Sequence, residues 1–457
     1  IVDFLVRRDG SSLFGEDERW ATYYRGSAAY RMSQESWWFL PFVQEFKVRG
    51  SYGTAGGRPR FSARFETWSV TGSGQVVKGN LGNKELKPEF SQELEVGFDA
   101  SFLNRFSLEF TYADIKTEDQ LLFAPLPGFA GYGNRWINGG TLEANVFEIS
   151  LNASIKQSRD FSWTAGANFD RVRQEITEMT VPAYTVGLGS RGSVFFIKEG
   201  ETFGAMFGDK WVTDVSELPA GVPADQFAVN DDGYLVWVGS GNSTTDGISK
   251  QLWGTSSDFN HADGNPYRWG IPIKFLDEDG NDFHRIGDTT PDFNLSFSNS
   301  IRWKGLTAYG LLDAQVGGDV YVHTIQWGNR DLRHGETDQS GKSDGEKKPT
   351  LYYDILYDVN ATNSHYIDSG QYLKLRELRV SYTFNNKQLS GVFGGLLKKL
   401  TVGVVGRNLF TWTDGYRGYD PEVGVAGGSI GSAVVGRVDT FDYPNFRSFS
   451  GLLEFEL

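Results

Sequence analysis

Five oxygen-bearing side chains crowd the segment FLDEDGNDFHRIGD: Asp277, Asp279, Asn281, Asp282 and Asp288. Carboxylate and amide oxygens at alternate positions are the ligands Ca2+ takes. The spacing departs from an EF-hand loop, since Gly280 stands at loop position four rather than six and Asp288 replaces the bidentate Glu. A solvated acidic turn accounts for the same residues. A second set is aromatic: Trp136, Tyr184, Trp237, Trp253, Trp269 and Trp327 lie in segments without regular alternation. Such rings stack on sugars or pack within their own loop. Bond-making chemistry has no counterpart. With five His, no Cys, and no HExxH, GxSxG or P-loop spacing, the chain lacks the constellations of a metalloprotease, serine hydrolase or nucleotidase. Acidic pairs belong to alternating strands or polar loops, so no glycosidase pair stands out. The chain is expected not to be an enzyme and to need no cofactor, with Ca2+ in the acidic loop as the alternative to a solvated turn.

The elements that must position these residues are strands. Period-two alternation recurs in segments of about ten residues. Leu94, Val96 and Phe98 alternate with Glu93, Glu95 and Asp99; Phe293, Leu295 and Phe297 alternate with Asn294, Ser296 and Ser298. The pattern predicts twelve strands, near 1–8, 20–33, 44–54, 92–103, 105–118, 144–156, 160–173, 293–303, 306–316, 371–383, 398–411 and 446–457. Long connections (9–19, 55–91, 119–143, 174–292, 317–370, 412–445) alternate with short ones (34–43, 104, 157–159, 304–305, 384–397). In an up-and-down antiparallel barrel, connections of one parity share a rim, and outer-membrane barrels have short periplasmic turns and long extracellular loops. Carboxylates at Glu95, Asp99, Glu109, Glu148 and Glu454 oppose the apolar stripe and are expected to face a wet lumen. Aromatics at strand ends (Tyr23, Tyr24, Tyr112, Trp303, Tyr309, Tyr382) are expected to form interfacial girdles. A soluble sandwich would also alternate. It gives no reason for the parity of loop lengths, and a loop of more than a hundred residues is uncommon in a compact soluble domain.

Composition agrees. The chain carries 56 Gly and 15% aromatics, its mean hydropathy is −0.38, and no apolar run is long enough for a membrane helix. A strand that alternates lipid-facing and wet residues keeps average hydropathy low. A net charge of −14 argues against nonspecific nucleic-acid binding. The absence of Cys excludes disulfides and thiolate metal sites. The chain opens at Ile1, inside a predicted strand, and is expected to be part of a longer protein.

Seven segments, in order, resemble blocks of the SusC/RagA family of TonB-dependent outer-membrane transporters. They are RRDGSSLFG (Arg7–Gly15), GSAAYRMSQE (Gly26–Glu35), FKVRGSYGTAG (Phe46–Gly56), GNKELKPEFSQELEVGFDASF (Gly82–Phe102), IGDTTPDF (Ile286–Phe293), YIDSGQYLKLRELRVSYTF (Tyr366–Phe384) and GRNLFTWTDGYRGYDPEVG (Gly406–Gly424). The family's N-terminal plug, TonB box and first barrel strands have no counterpart in this sequence. Its C-terminal Phe is replaced by Leu457, with Phe455 two residues earlier on the same face. Within the motifs, Gly10, Gly53 and Gly97 read as close-approach positions, and Asn408, Asp420 and Pro421 as loop anchors at the outer rim.

The resemblance implies an all-β fold, about the C-terminal twelve strands of a barrel of about 22. Residues 1–457 would be one part of that barrel. It implies import of oligosaccharides, peptides or similar nutrients across the outer membrane of a Bacteroidota-like Gram-negative cell. The implied partners are the missing N-terminal half with its plug, a SusD-like surface lipoprotein lid, TonB–ExbB–ExbD and outer-membrane lipid. The six loop aromatics named above would then contact ligand or lid. A structural or secretion-associated barrel subunit without transport, and a soluble surface enzyme or lectin, are the rival readings.

Overall fold

The computed structural model describes residues 1–186, 194–357, 361–389, 397–422 and 437–457. Twelve strands run as β1 (Val2–Gly10), β2 (Trp20–Arg31), β3 (Val43–Ala55), β4 (Phe90–Phe102), β5 (Phe106–Glu118), β6 (Gly140–Gln157), β7 (Phe161–Met179), β8 (Phe293–Trp303), β9 (Leu306–Val316), β10 (Tyr372–Asn385), β11 (Lys399–Thr413) and β12 (Ser448–Glu456). Each pairs antiparallel with its neighbour in sequence, so the sheet is an uninterrupted meander. All twelve predicted strands are present. The sequence reading placed the start of β6 and the end of β7 too far in, because both strands run beyond the membrane-length segment into the loop region.

Register makes the two faces explicit. One cross-strand row reads Val48, Phe98, Phe110, Ile149, Phe169, Leu295, Ala314, Leu373 and Trp412. The adjacent row on the opposite face reads Lys47, Asp99, Glu109, Ser150, Asn168, Ser296, Asp313, Lys374 and Thr411. A slip of one residue at any pair would put carboxylates among phenylalanines, so the pattern fixes the register. Leu295 and Phe297 are each 42% exposed and Val404 57%, and the buried cores lie in the loops rather than against this face. A soluble protein does not leave so extended an apolar wall uncovered. The apolar face therefore meets hydrocarbon and the polar face is wet, which rules out the dry-core sandwich.

The rims divide as loop-length parity requires. Short connections at 103–105, 158–160 and 304–305, with longer ones at 32–42 and 386–398, share one rim; 11–19, 56–89, 119–139, 180–292, 317–371 and 414–447 share the other. Of the girdle aromatics, Tyr24, Tyr112, Trp303 and Tyr382 lie on the apolar face. Tyr23 and Tyr309 do not: Tyr23 is opposite Arg7, and Tyr309 is opposite Ser300 and Arg379, so pleat parity turns both rings to the wet side. Gly97 fulfils its close-approach role, since a Cβ there would run into the Phe110 carbonyl. The edge strands β1 and β12 are not paired with each other among the described residues. In lipid, each edge would leave a row of backbone groups without partners.

Candidate functional site: the wet wall and the outer loops

The wet face changes character along its height. Near the short-turn rim, Ser101, Asn152, Thr164, Ser298, Ser300 and Tyr309 line an open groove of about 570 Å3. Higher up, charges pair across strands. Arg49 contacts Glu95 and Thr111, and lies 3.4 Å from Asp99, which also pairs with Lys47. These carboxylates face the wet side, as their alternation requires.

The densest charge cluster sits where β9 and β10 meet the loop after β11. A β-bulge interrupts the ladder here. The pairings Leu312 with Leu375 and Leu311 with Glu377 leave Arg376 as an extra residue in β10, and the β10–β11 ladder skips it too. A bulge re-aims a side chain without breaking the strand. Lys374 and Arg376 share the wet face by alternation, and the bulge lets Glu377 follow Arg376 there while Leu378 returns to the apolar face. Lys374 Nζ donates to Asp420 and to Glu422, each at 2.5 Å; Arg376 donates to Asp313 at 2.5 and 2.8 Å and to Glu422. Asp420 also accepts from the Glu422 amide at 3.0 Å, and Asn408 donates to the Phe446 carbonyl at 3.2 Å. The loop-anchor reading of Asn408 and Asp420 thus corresponds to real contacts, while Val423 and Gly424 of that motif lie outside the described residues. Sequence reading missed Lys374 and Arg376. The signal was there: apolar parity shifts from Leu373 and Leu375 to Leu378 and Val380.

Burial raises the Glu422 carboxyl, but hydrogen bonds from Arg376 and Lys374 outweigh it and hold the group down at about 2. A depressed folded-state pKa contributes stability above the unfolded value, and that contribution is lost as pH falls through the folded value. The Gly418–Glu422 segment is therefore expected to stay docked at neutral pH and to loosen only as acidification proceeds from about 4.5 to about 2. Hydrogen exchange of these amides over a pH series checks this, and Glu422→Gln should remove most of the dependence.

Described residues of the loops 180–292, 317–371 and 414–447 pack into a module with its own cores. One core joins Tyr184, Phe195 and Met206 to Tyr321, Tyr366 and Tyr416; a second joins Val212, Phe227, Trp237 and Trp269; a third packs Trp211 on Tyr352 and Leu356. Arg417 ties the loops together. Its amide and Nε donate to Asp368 at 2.7 and 2.9 Å, and Nη1 lies 3.3 Å from Glu336. Glu336 also meets His365 Nε2 at 3.3 Å, while His365 Nδ1 meets the Tyr234 hydroxyl at 2.8 Å. Burial would raise Glu336, but hydrogen bonds from His334, His365 and Asn329 overcome it and keep the carboxyl ionised far below its ordinary range. The module is stitched by ionic bonds as well as packed.

The sequence-predicted aromatics separate on burial. Tyr184, Trp237 and Trp269 are 9%, 8% and 5% exposed and belong to the loop cores, where they offer no free ring face. Burial pushes the Tyr184 hydroxyl up to about 12. Trp253 is 37% exposed, at a glycine, Gly247, crowded between it and Trp269. Trp136 is half-buried with Phe123 at 4.9 Å, and Trp327 is half-buried under Arg330. Sequence reading missed a further exposed group on loops 56–89 and 119–139: Phe61, Trp68 and Phe129. These two loops are joined by Asn83 donating to the Trp136 carbonyl at 2.9 Å and by Tyr132 donating to Glu66 at 2.9 Å.

The acidic loop is a self-capped turn. Asp277 accepts from the amides of Asp279 and Asn281 at 3.0 and 2.8 Å and from the Asn281 side chain. Asp282 lies 3.6 Å from Lys274, and Asp288 pairs with Arg285 at 2.5 Å and accepts from Thr202 at 2.6 Å. The five side chains do not converge, and among the described residues no three His, Cys, Asp or Glu gather for a metal ion.

A twelve-strand meander with one greasy face, one charged face and a folded outer rim can be compared with known proteins. A family model for the TonB dependent receptor-like β-barrel matches residues 2–240. The chain belongs to that family. TonB-dependent receptor P3 of Formosa agariphila is 29% identical over 98% of this chain and 43% of its own length. TonB-dependent receptor SusC of Bacteroides thetaiotaomicron is 22% identical over 93% and 40%. The RagAB peptide importer in its closed-closed state superposes with a TM-score of 0.71 at 22% identity, over 99% of this chain and 45% of that one. The chain thus spans less than half the length of the relatives it matches. The resemblance read from the seven sequence blocks and the antiparallel barrel fold both hold.

Proposed function

We propose that this chain supplies about half the wall, and most of the outer mouth, of a TonB-dependent nutrient importer of the SusC type in the outer membrane. The observation that carries the reading is the two-faced meander whose edge strands β1 and β12 have no outer partner among the described residues. A wall with two open edges in lipid needs further strands to complete it, and relatives more than twice as long supply a source for them. Those strands and a plug would come from an N-terminal half. TonB–ExbB–ExbD would supply energy, and a SusD-like lipoprotein would cover the mouth. Oligosaccharides, peptides or similar nutrients are the proposed cargo; the RagAB neighbour is itself described as a peptide importer. Trp253, Trp136 and Trp327, with the exposed Phe61, Trp68 and Phe129, are the proposed ligand or lid contacts. Ionic stitching of the loop module favours a mouth that keeps its shape while a lid moves.

The test is genetic. Deleting the complete reading frame should abolish growth on at least one oligosaccharide or peptide source, deleting TonB should reproduce the loss, and the native protein should copurify with a surface lipoprotein. Unchanged growth on every source, with a barrel that purifies alone, would instead favour a structural or secretion-associated subunit.

A further inference from the structure

We propose that the turn between β2 and β3, residues 32–42, inserts into the periplasmic leaflet and seats at the level of the phospholipid headgroups. This rests on the wall being a membrane barrel with short turns toward the periplasm. Adjacent antiparallel strands need only two or three linking residues, and three other turns on this rim use no more. This turn spends eleven residues and fills them with SWWFLPF. Its rings are not a hidden core: Trp37 is 52% exposed, Phe39 77% and Phe42 51%. Trp37 and Phe39 each lie 6.3 Å from the ring of Trp38, which is on the apolar side. Trp38 stacks on Phe46 at 5.5 Å, Phe46 approaches Phe98 at 5.6 Å, and Phe98 stacks on Phe110 at 5.4 Å. Phe98 and Phe110 belong to the hydrocarbon-facing row, so the turn continues that surface downward.

Part of the turn's backbone is satisfied within the turn itself. Trp38 N donates to the Glu35 carbonyl at 3.0 Å, Val43 N to Leu40 at 3.1 Å, and the Trp38 indole N–H to the Leu40 carbonyl at 3.0 Å. Water and headgroups at an interface can serve the remaining N–H and C=O groups while the rings meet the acyl boundary, and Trp is the side chain such interfaces favour. In water the same patch would be an exposed apolar liability.

The chain has no Cys, so single sites can carry a nitroxide without a competing thiol on this chain. The whole protein is reconstituted in phosphatidylethanolamine–phosphatidylglycerol bilayers with labels at Phe39→Cys, at Arg159→Cys in the turn 158–160, and at Val404→Cys on the lipid face. At Phe39, the ratio of collision with dissolved oxygen to collision with a water-soluble nickel chelate should lie between the hydrocarbon-like ratio at Val404 and the water-like ratio at Arg159. A water-like ratio at Phe39 with a hydrocarbon-like one at Val404 overturns this inference alone. Water-like ratios at both overturn the barrel reading beneath it. A Phe39 label immobilised and shielded from both reagents, marking contact with protein, also overturns the inference.

Discussion

Phe297→Arg is expected to destabilise the barrel by about 2–4 kcal/mol, whereas Ser296→Arg, one residue earlier, should change stability by well under that amount. Phe297 lies near the middle of β8 on the hydrocarbon side, between Ala167 and Leu312. Ser296 lies on the wet side between Asn168 and Asp313 and accepts a hydrogen bond from Asn168 at 3.1 Å. An arginine at Ser296 can reach water and Asp313. One at Phe297 must cross hydrocarbon or deform the bilayer to find a partner. Urea unfolding of the two variants of the whole protein in bilayers measures the difference. The contrast tests whether the two faces of the strand meet different surroundings.

The second large effect is at the bulge. Lys374 is almost wholly buried, and its ammonium is the shared partner of Asp420 and Glu422. Lys374→Ala leaves the buried Asp420 carboxylate without its cation, while Glu422 keeps Arg376. Breaking a buried pair from one side costs about 3–5 kcal/mol, because the remaining charge has no compensation. The cost should appear locally first, as faster protease nicking between Asp414 and Glu422, and then in a lowered unfolding midpoint. Lys374→Met combined with Asp420→Asn and Glu422→Gln should recover much of the loss, since no uncompensated charge is left. If the single and triple variants are equally damaged, packing rather than charge holds the segment.

Different physics explains why parts of the molecule were legible in the sequence and parts were not. In the wall, each residue's fate depends on parity, and parity is local: Phe293, Leu295 and Phe297 announce β8 by themselves. The bulge at Arg376 was visible only as a change of phase between Leu375 and Leu378, which a strand search passes over. The loop module depends on partners far apart in the chain. The Trp211 indole donates to Asn363 at 3.3 Å, 152 residues away. Nothing near Trp237 or Trp269 distinguishes a ring destined for such a core from one left open like Trp253. The acidic segment left two readings open for a related reason. Its spacing suits a cation, but Asp277 closes on its own turn and Asp288 pairs with Arg285, choices that short-range composition does not reveal.

The most direct test of the two-faced wall is labelling with a membrane-impermeant maleimide at single cysteines placed in turn from Phe293 to Ser300, in the whole protein in bilayers. Reactivity should alternate, with Asn294, Ser296, Ser298 and Ser300 modified and Phe293, Leu295, Phe297 and Asn299 protected. Uniform reactivity along β8, or protection of the serine positions instead, would contradict it.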